Sequence, residues 1–511
     1  LVDLDALLGE ERGDRAERGV DGQSDAHFGT LPPMTRPGAA PIVLVVLALT
    51  LLLAPCPALA QSPPPLTPAQ AALREIYKEL VEINTTDSVG DTTVAARAMA
   101  ARLKAAGFSD GELRIVVPPG APRKGNLVAR LNERGTDKPI LLLAHLDVVE
   151  ARREDWERDP FTMVEEGGYF YARGSVDDKA MAAIFVANLA RYRQEGYAPD
   201  RDLILALTAD EELGSSSPWN GVSWLLKHDR ALIEAEYALN EGGGAEMTRD
   251  GRPILLRLQA AESVSFRLET KNPGGHSSLP RPDNAIYQLA AGLGRLSHLE
   301  FPAKLNEITR GYFQRSAPLF DAATAADMRA VARDGGPDPA AASRLTARSA
   351  SYNSLMRTTC VATRLEGGHA GNALPQSARA TVNCRVLPGE PIDGVRDEIV
   401  RALADSAITV TRTTEPTLSQ PSSLRPDLLR AVEATTAALW PGIPVIPTMS
   451  TGATDSRFLR NAGIPAYGVS GLFLGPDDAR SHGLNERMPV ASLWGGQEFL
   501  YRLVKELAGG K

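Results

Sequence analysis

The sequence predicts an α/β fold, a mostly parallel sheet covered by helices, with an inserted α+β domain. Three observations predict it. Continuous apolar runs of strand length, at 139–146, 203–208 and 235–239, read as strands buried on both faces. Segments with helical spacing alternate with them, as a parallel sheet requires. Near residue 260 the rhythm changes: Ser263-Val264-Ser265-Phe266-Arg267-Leu268-Glu269 alternates strictly, the pattern of a half-exposed strand.

Taken in chain order, residues 42–54 form an apolar run of 13, too short to span a bilayer as a helix. It ends at Ala58-Leu59-Ala60, a small-x-small cleavage pattern, and Met34-Thr35-Arg36 supplies the basic start of a secretory signal. The expectation is translation from Met34, with residues 1–33 an artefact of the gene model, a signal peptide at 34–60 and export to the periplasm or medium. No stable membrane insertion is expected after cleavage. A Pro-rich linker, 61–68, leads into a helix at 68–83 with Leu73, Ile76, Tyr77 and Leu80 on one face. The first part of the α/β domain is expected at 69–257; within it, 178–193 places Met181, Ile184, Phe185 and Leu189 at helical intervals. The insertion is expected at 258–412, with 320–350 as helix or loop inside it. From 413 to 511 the α/β pattern resumes, with 428–439 helical and 443–446 strand-like.

Among 511 residues, 43% hydrophobic and 23% charged composition excludes disordered and polytopic membrane classes. A net charge of -8 offers no basic surface for phosphates, so nucleic acid is excluded as the expected partner. Of three cysteines, Cys360 and Cys384 lie beyond the expected cleavage site, in two β-like runs. If those strands pair antiparallel the thiols face each other, and in an oxidising compartment they are expected to form a disulfide.

Polar residues at strand ends are where an open α/β sheet binds ligands. Five places qualify: His145-Leu146-Asp147, where a carboxylate two residues on can hold the imidazole's tautomer; Asp177-Asp178-Lys179 before a helix; Asp210-Glu211-Glu212; Glu241 ahead of three glycines; and Ser481-His482-Gly483. Each alone has a plainer reading as a surface pair, a helix cap or a solvated acidic loop. Together they gather histidines and carboxylates at one sheet mouth, the ligand chemistry of zinc and related divalent ions.

In order and spacing, His145-x-Asp147, Asp177-x-Lys179, Glu211-Glu212, Glu241 and His482 resemble the M20 metallopeptidases, the group of carboxypeptidase S, glutamate carboxypeptidase, aminoacylase and succinyl-diaminopimelate desuccinylase. The stretch His145 to Val149 with Trp156 and Asp159-Pro160-Phe161 looks most like the carboxypeptidase S branch. The resemblance implies a zinc-exopeptidase-like catalytic domain with a lid and dimerisation domain inserted, and two zinc ions, with cobalt or manganese as substitutes. Asp177 would bridge them, His145 and Glu241 completing one site and Glu212 and His482 the other. Glu211 would be the catalytic base, Asp147 would be a further catalytic residue that holds the His145 imidazole, and a cis peptide would follow Asp177. His276 in Gly274-Gly275-His276-Ser277-Ser278 would reach an active site, often the partner subunit's; Asn372, Arg385, Gly452 and Thr454 match substrate-binding segments. Ala172 and Ala180, where relatives often carry glycine, and Glu150, where many carry proline, depart from the pattern without removing a ligand.

The implied reaction is hydrolysis of a peptide or N-acyl amide bond, with Glu211 moving the proton, His276 donating to the oxyanion and Arg385 pairing with a free C-terminal carboxylate. The expected activity is therefore carboxypeptidase-type. An aminoacylase-like deacylase is the alternative, and a non-catalytic peptide- or amino-acid-binding protein on the same fold is a third reading. The substrate would be a small peptide or N-acyl amino acid, and the lid offers a surface for a homodimer. His228 and His298 read as structural.

Overall fold

The computed structural model describes residues 65–131, 137–259, 266–412, 419–450, 454–478 and 480–510. The expected signal segment, the residues before it, the start of the linker and Gly452 lie outside the described residues. From Pro68 onward the chain is one compact unit. Among the described residues no helix is long and apolar enough to cross a membrane.

Helices α1 (Pro68–Glu82) and α2 (Thr92–Ala105) lead into strands β1 (Leu113–Val116), β2 (Asn126–Leu131) and β3 (Asp137–His145). A hairpin, β4 (Val164–Glu166) and β5 (Tyr169–Tyr171), precedes α3 (Lys179–Glu195), β6 (Arg201–Thr208), α4 (Gly221–His228), β7 (Tyr237–Asn240), β8 (Ala245–Met247) and β9 (Pro253–Gln259). The apolar runs of the sequence thus become β3, β6 and β7, and His145 ends β3 level with Thr208 at the end of β6 in a parallel ladder. The centre, β6-β3-β7, is parallel, while β1, β2 and β6 pair antiparallel at one flank. The sheet is therefore mixed, parallel where it carries the strand ends that matter.

Helices cover both faces. Leu73, Ile76, Tyr77 and Leu80 of α1 are buried as their spacing predicts. All residues of α3 from Lys179 to Leu189 are buried, because this helix lies between the sheet and an outer layer. On the opposite face Val222 and Leu225 of α4 pack on Leu141, Leu143 and Ile204.

The inserted segment contains β10 (Phe266–Lys271), β11 (Gly275–His276), α5 (Ala285–Leu296), α6 (Glu307–Ser316), α7 (Ala322–Val331), α8 (Pro339–Arg348), α9 (Ala350–Met356), β12 (Thr359–Gly367), β13 (Ala373–Leu374), β14 (Ser377–Arg385), α10 (Ile392–Leu403) and β15 (Ile408–Arg412). Strands in the order β12-β14-β10-β15 form an antiparallel sheet backed by α5 and α10. Cys360 and Cys384 are register partners across β12 and β14 and are disulfide-bonded.

The chain then returns through α11 (Pro426–Leu439), β16 (Val445–Thr448), α12 (Ser456–Asn461), β17 (Ala466–Gly468), β18 (Phe473–Leu474), β19 (Arg487–Pro489) and α13 (Val490–Ala508). β16 adds parallel to β9 and β17 parallel to β7. Here the structure departs from a single inserted domain spanning 258–412. Tyr312, Phe313, Met328, Leu345 and Met356 share a core with Leu255, Ile446 and Met449, so α6 to α9 pack on the catalytic sheet beside β16 rather than on the lid sheet. Their apolar faces need a partner, and β9 and β16 expose the nearest one.

Candidate metal centre

Parallel pairing of β3, β6 and β7 sets three carboxyl-terminal ends side by side, and each delivers part of the site. His145 is the last residue of β3, Glu211 and Glu212 follow β6, and Glu241 follows β7. Gly243 lets β7 approach β17: a Cβ there would lie 2.0 Å from the Gly468 carbonyl oxygen.

The remaining two ligand candidates come from loops joined by a small sheet. Gly167 (φ 59°) and Gly168 (φ 82°) make the two-residue turn of the β4–β5 hairpin, a turn that needs positive φ at both positions. β5 then pairs antiparallel with β19, Tyr171 opposite Arg487, which brings the loop carrying Asp177 against the loop carrying His482. The peptide between Asp177 and Asp178 is cis.

Asp177 stands between the two imidazoles, Oδ1 3.1 Å from His145 Nε2 and Oδ2 3.1 Å from His482 Nε2. Glu241 Oε1 is 3.9 Å from His145 Nε2, and Glu212 Oε2 is 3.0 Å from His482 Nε2. Ligand atoms of His145, Asp177 and Glu212, and of His145, Glu211 and Glu241, converge within 4.8 Å. The five residues that the resemblance assigns to metal are therefore gathered around one carboxylate. Glu212 Oε1 is buried without a hydrogen-bond partner, as a donor atom awaiting a cation should be. Two imidazoles and several carboxylates at these separations fit a pair of divalent ions of the zinc type.

Electrostatics follow from crowding acids in a buried cleft. Burial pushes the Glu211 carboxyl well above the usual range; His145 opposes this, while Asp455, Asp147 and Glu212 add to it. Burial likewise raises Glu241. Burial would raise Asp177 too, but hydrogen bonds from His145 and His482 hold it well below the carboxylate range. His482 is pushed up to about 10 by Asp177 and Glu212. Neutralising several clustered carboxylates is what divalent cations do.

Asp147 differs from expectation. The group at hydrogen-bond distance from His145 Nδ1 is the Asp147 backbone carbonyl, at 2.9 Å, with the carboxylate at 3.7 Å. Nδ1–H donating to that carbonyl fixes the tautomer that leaves Nε2 for a ligand. The Asp147 carboxylate instead accepts the amides of Glu211 (3.2 Å) and Glu212 (3.0 Å) and so aims both glutamates.

Two residues have large roles that the sequence did not assign: Glu486, and Lys179, which the sequence marked only as part of a motif. Glu486, fully buried, accepts from Arg173 Nη1 (2.7 Å) and from the amides of Gly174, Val176 and Asp177, holding the whole Asp177 loop. Lys179 is buried with Nζ donating to the Ile83 carbonyl at 2.7 Å, and burial pulls its ammonium down to about 7. Tyr77 completes the frame by donating to the Ser175 carbonyl. Trp156 packs under the Arg173 guanidinium, 5.0 Å from its ring centre.

The substrate-side candidates are spread more widely. Arg385, at the end of β14, lines a cavity of about 340 Å³ with Gly242, the neighbour of Glu241. Thr454 is buried beside Asp455, which accepts from Asn220 at 2.7 Å. His276 and Asn372 meet on the β11–β13 ribbon, where the Ser277 amide donates to the Asn372 carbonyl; both are exposed. The His276 ring bonds Ser278, and none of the described hydrogen bonds of the Asp177 cluster reaches it.

Fold and site together define a metal-dependent hydrolase. A family model described as peptidase family M20/M25/M40 matches residues 141–506, and the chain belongs to that family. It is 27% identical over 378 residues to the mouse N-fatty-acyl-amino acid synthase/hydrolase PM20D1, covering 72% of this chain and 74% of that protein. It is 28% identical to a probable carboxypeptidase S-like 2 of Dictyostelium discoideum, covering 73% of each. In fold it matches the M20 family metallo-carboxypeptidase Sso-CP2 of Sulfolobus solfataricus, with a TM-score of 0.62 and 18% identity over 85% of this chain and 98% of that one.

Proposed function

We propose that this M20 enzyme is an exported dinuclear zinc hydrolase that cleaves amide bonds in peptides or N-acyl amino acids ending in a free carboxylate. Arg385 carries this reading. It is a half-buried guanidinium that makes no side-chain hydrogen bond or ion pair with a described residue, on the wall of the cavity that opens beside Glu241 and Gly242. An unpaired buried cation is costly, and a substrate carboxylate bound bidentately would satisfy it. The named activities of the mouse and Dictyostelium relatives both concern substrates of this kind.

In this reading His145 and Glu241 would hold one ion, Glu212 and His482 would hold the other, and Asp177 would serve both. Bound divalent ions would supply Lewis-acid activation of water and of the amide carbonyl. Glu211, aimed by Asp147, takes the proton of the attacking water and delivers it to the leaving amine. Asn372 and Thr454 contribute to substrate binding. The exposure of His276 supports an oxyanion hydrogen bond made in the site of a second copy, with the lid domains in contact. Export is supported by the apolar run and cleavage pattern before residue 61 and by the Cys360–Cys384 disulfide.

The test is zinc-reconstituted hydrolysis of matched substrates ending in a carboxylate or in a carboxamide. Arg385→Ala is expected to lose about 100-fold or more in kcat/KM on the carboxylates and little on the amides. Equal losses on both would remove Arg385 as the anchor.

A further inference from the structure

We infer that Asp210 and Lys124 are positioning residues for Glu211: an ammonium clamps the carboxylate of the residue whose backbone turn presents the glutamate. This deepens the reading above, in which Glu211 moves the proton. Asp210 opens the Asp210-Glu211-Glu212 triplet, yet it belongs to neither group of converging ligand atoms. Its backbone has φ 61°, in the left-handed region that a non-glycine residue keeps only where its surroundings hold it. Those surroundings are specific. Asp210 Oδ1 accepts from Lys124 Nζ and Oδ2 from Ser217 Oγ, each at 2.6 Å. The Asp210 carbonyl accepts from Asn220 Nδ2 at 3.1 Å, and the preceding amide, of Ala209, donates to Asn126 Oδ1 at 3.0 Å. The side chains of Lys124 and Asp210 are 14% and 1% exposed, so solvent ions screen this pair little.

Lys124 also reaches the other side of the site. It donates to Asp87 Oδ1 at 2.6 Å, in the loop between α1 and α2. From that loop the Thr85 hydroxyl donates to the Leu146 carbonyl at 2.7 Å, and Thr86 bridges Val148 in parallel. One ammonium thus links the segment that flanks Asp147 to the turn before Glu211. Its own place is set by Arg123, whose Nη1 donates to the Gly90 carbonyl at 3.2 Å and whose carbonyl accepts the Thr92 amide at 2.9 Å. Glu211 is therefore aimed twice, by Asp147 on its amide and by the clamp on the residue before it. Glycine would take the same φ at no steric cost, so a carboxylate at 210 does more than permit the turn. Misplacing a reacting group by about 1 Å can cost roughly 100-fold in rate, which is what the clamp guards against.

The experiment takes the zinc-loaded full chain and its Lys124→Met, Asp210→Gly, Ser217→Ala and Glu211→Gln variants. It reads kcat and KM on one N-acyl amino acid, zinc content, and amide hydrogen exchange. Lys124→Met and Asp210→Gly are expected to lower kcat about tenfold or more, with KM within about twofold and zinc content unchanged. In both, the Glu211 and Glu212 amides are expected to exchange about tenfold faster while β6 keeps its wild-type protection. Ser217→Ala removes one arm of the clamp and leaves the ion pair; it is expected to lose about threefold in kcat, and it decides the matter if the other two do not fold. Wild-type kcat in Asp210→Gly would show that the position needs only a left-handed turn, and overturns the inference. Loss of zinc or of β6 protection in all three clamp variants would make the pair merely structural, and overturns it as well. Absence of Glu211-dependent turnover in the unmutated enzyme sinks the hydrolase reading instead, and exchange then decides the clamp: faster at Glu211 in Lys124→Met supports it, and unchanged overturns it.

Discussion

Asp177 stands at equal distances from two imidazoles, and the separation of duties proposed between it and Glu211, one holding metal and the other moving a proton, is open to mutation. Glu211→Gln is expected to keep its metal, measured by elemental analysis, and to lose turnover by about three orders of magnitude or more, because the amide cannot accept a proton. Asp177→Ala is expected to lose metal and turnover together, since both His145 and His482 lose their common partner. Retention of metal in Asp177→Ala would place the ions elsewhere. The residues that stand at strand ends, His145, Glu211, Glu212 and Glu241, are legible in the sequence because a strand followed by an acid or histidine has a fixed place in an open sheet. The tautomer of His145 is not legible in the same way: a backbone carbonyl fixes it, and every residue has one.

Between elements, Glu236 at the head of β7 ties Arg201 of β6 to Arg425 at the start of α11. Burial alone would raise its carboxyl, but the two guanidiniums hold it below the ordinary glutamate value. A folded value below the unfolded one means that the stabilisation is present above about pH 4.3 and is lost as pH falls through the folded value. Glu236→Gln is therefore expected to lower stability at pH 7, by up to about 1 kcal/mol for a partly exposed pair, with the difference from wild type shrinking in denaturant titrations as pH falls below about 4.3 and gone below the folded value. The disulfide between β12 and β14 closes a separation of 24 residues. Replacing both cysteines by serine is expected to cost about 3 kcal/mol in the same titrations, and an unchanged midpoint would show the lid sheet to hold without it. The facing of these cysteines follows from alternation along two strands and is legible; the docking of α6 to α9 on β16 is not, because an apolar helix face states that it needs a cover and not which cover.

At the scale of the molecule, the compact unit begins at Pro68 and ends with α13, whose Leu493, Phe499, Leu500 and Leu503 lie in the main core. A chain starting at residue 61 is expected to melt cooperatively and retain full metal content and turnover per site; loss of any of these would give the preceding residues a role in the folded enzyme. The α/β class and the change of rhythm at the insertion are legible because both are periodic along the chain. Glu486 is not, since its partners lie about 310 residues earlier and neighbouring sequence says nothing of them. That long reach orders events during synthesis. A ribosome that has released everything up to α12 has made His145, Asp177, Glu211, Glu212 and Glu241, yet the nascent chain lacks both His482 and the carboxylate that shapes the Asp177 loop. In the proposed dinuclear reading the seat shared by Glu212 and His482 is incomplete until the segment carrying His482 and Glu486 has emerged, so metal loading there would follow its synthesis and draw on whatever compartment the chain has then reached.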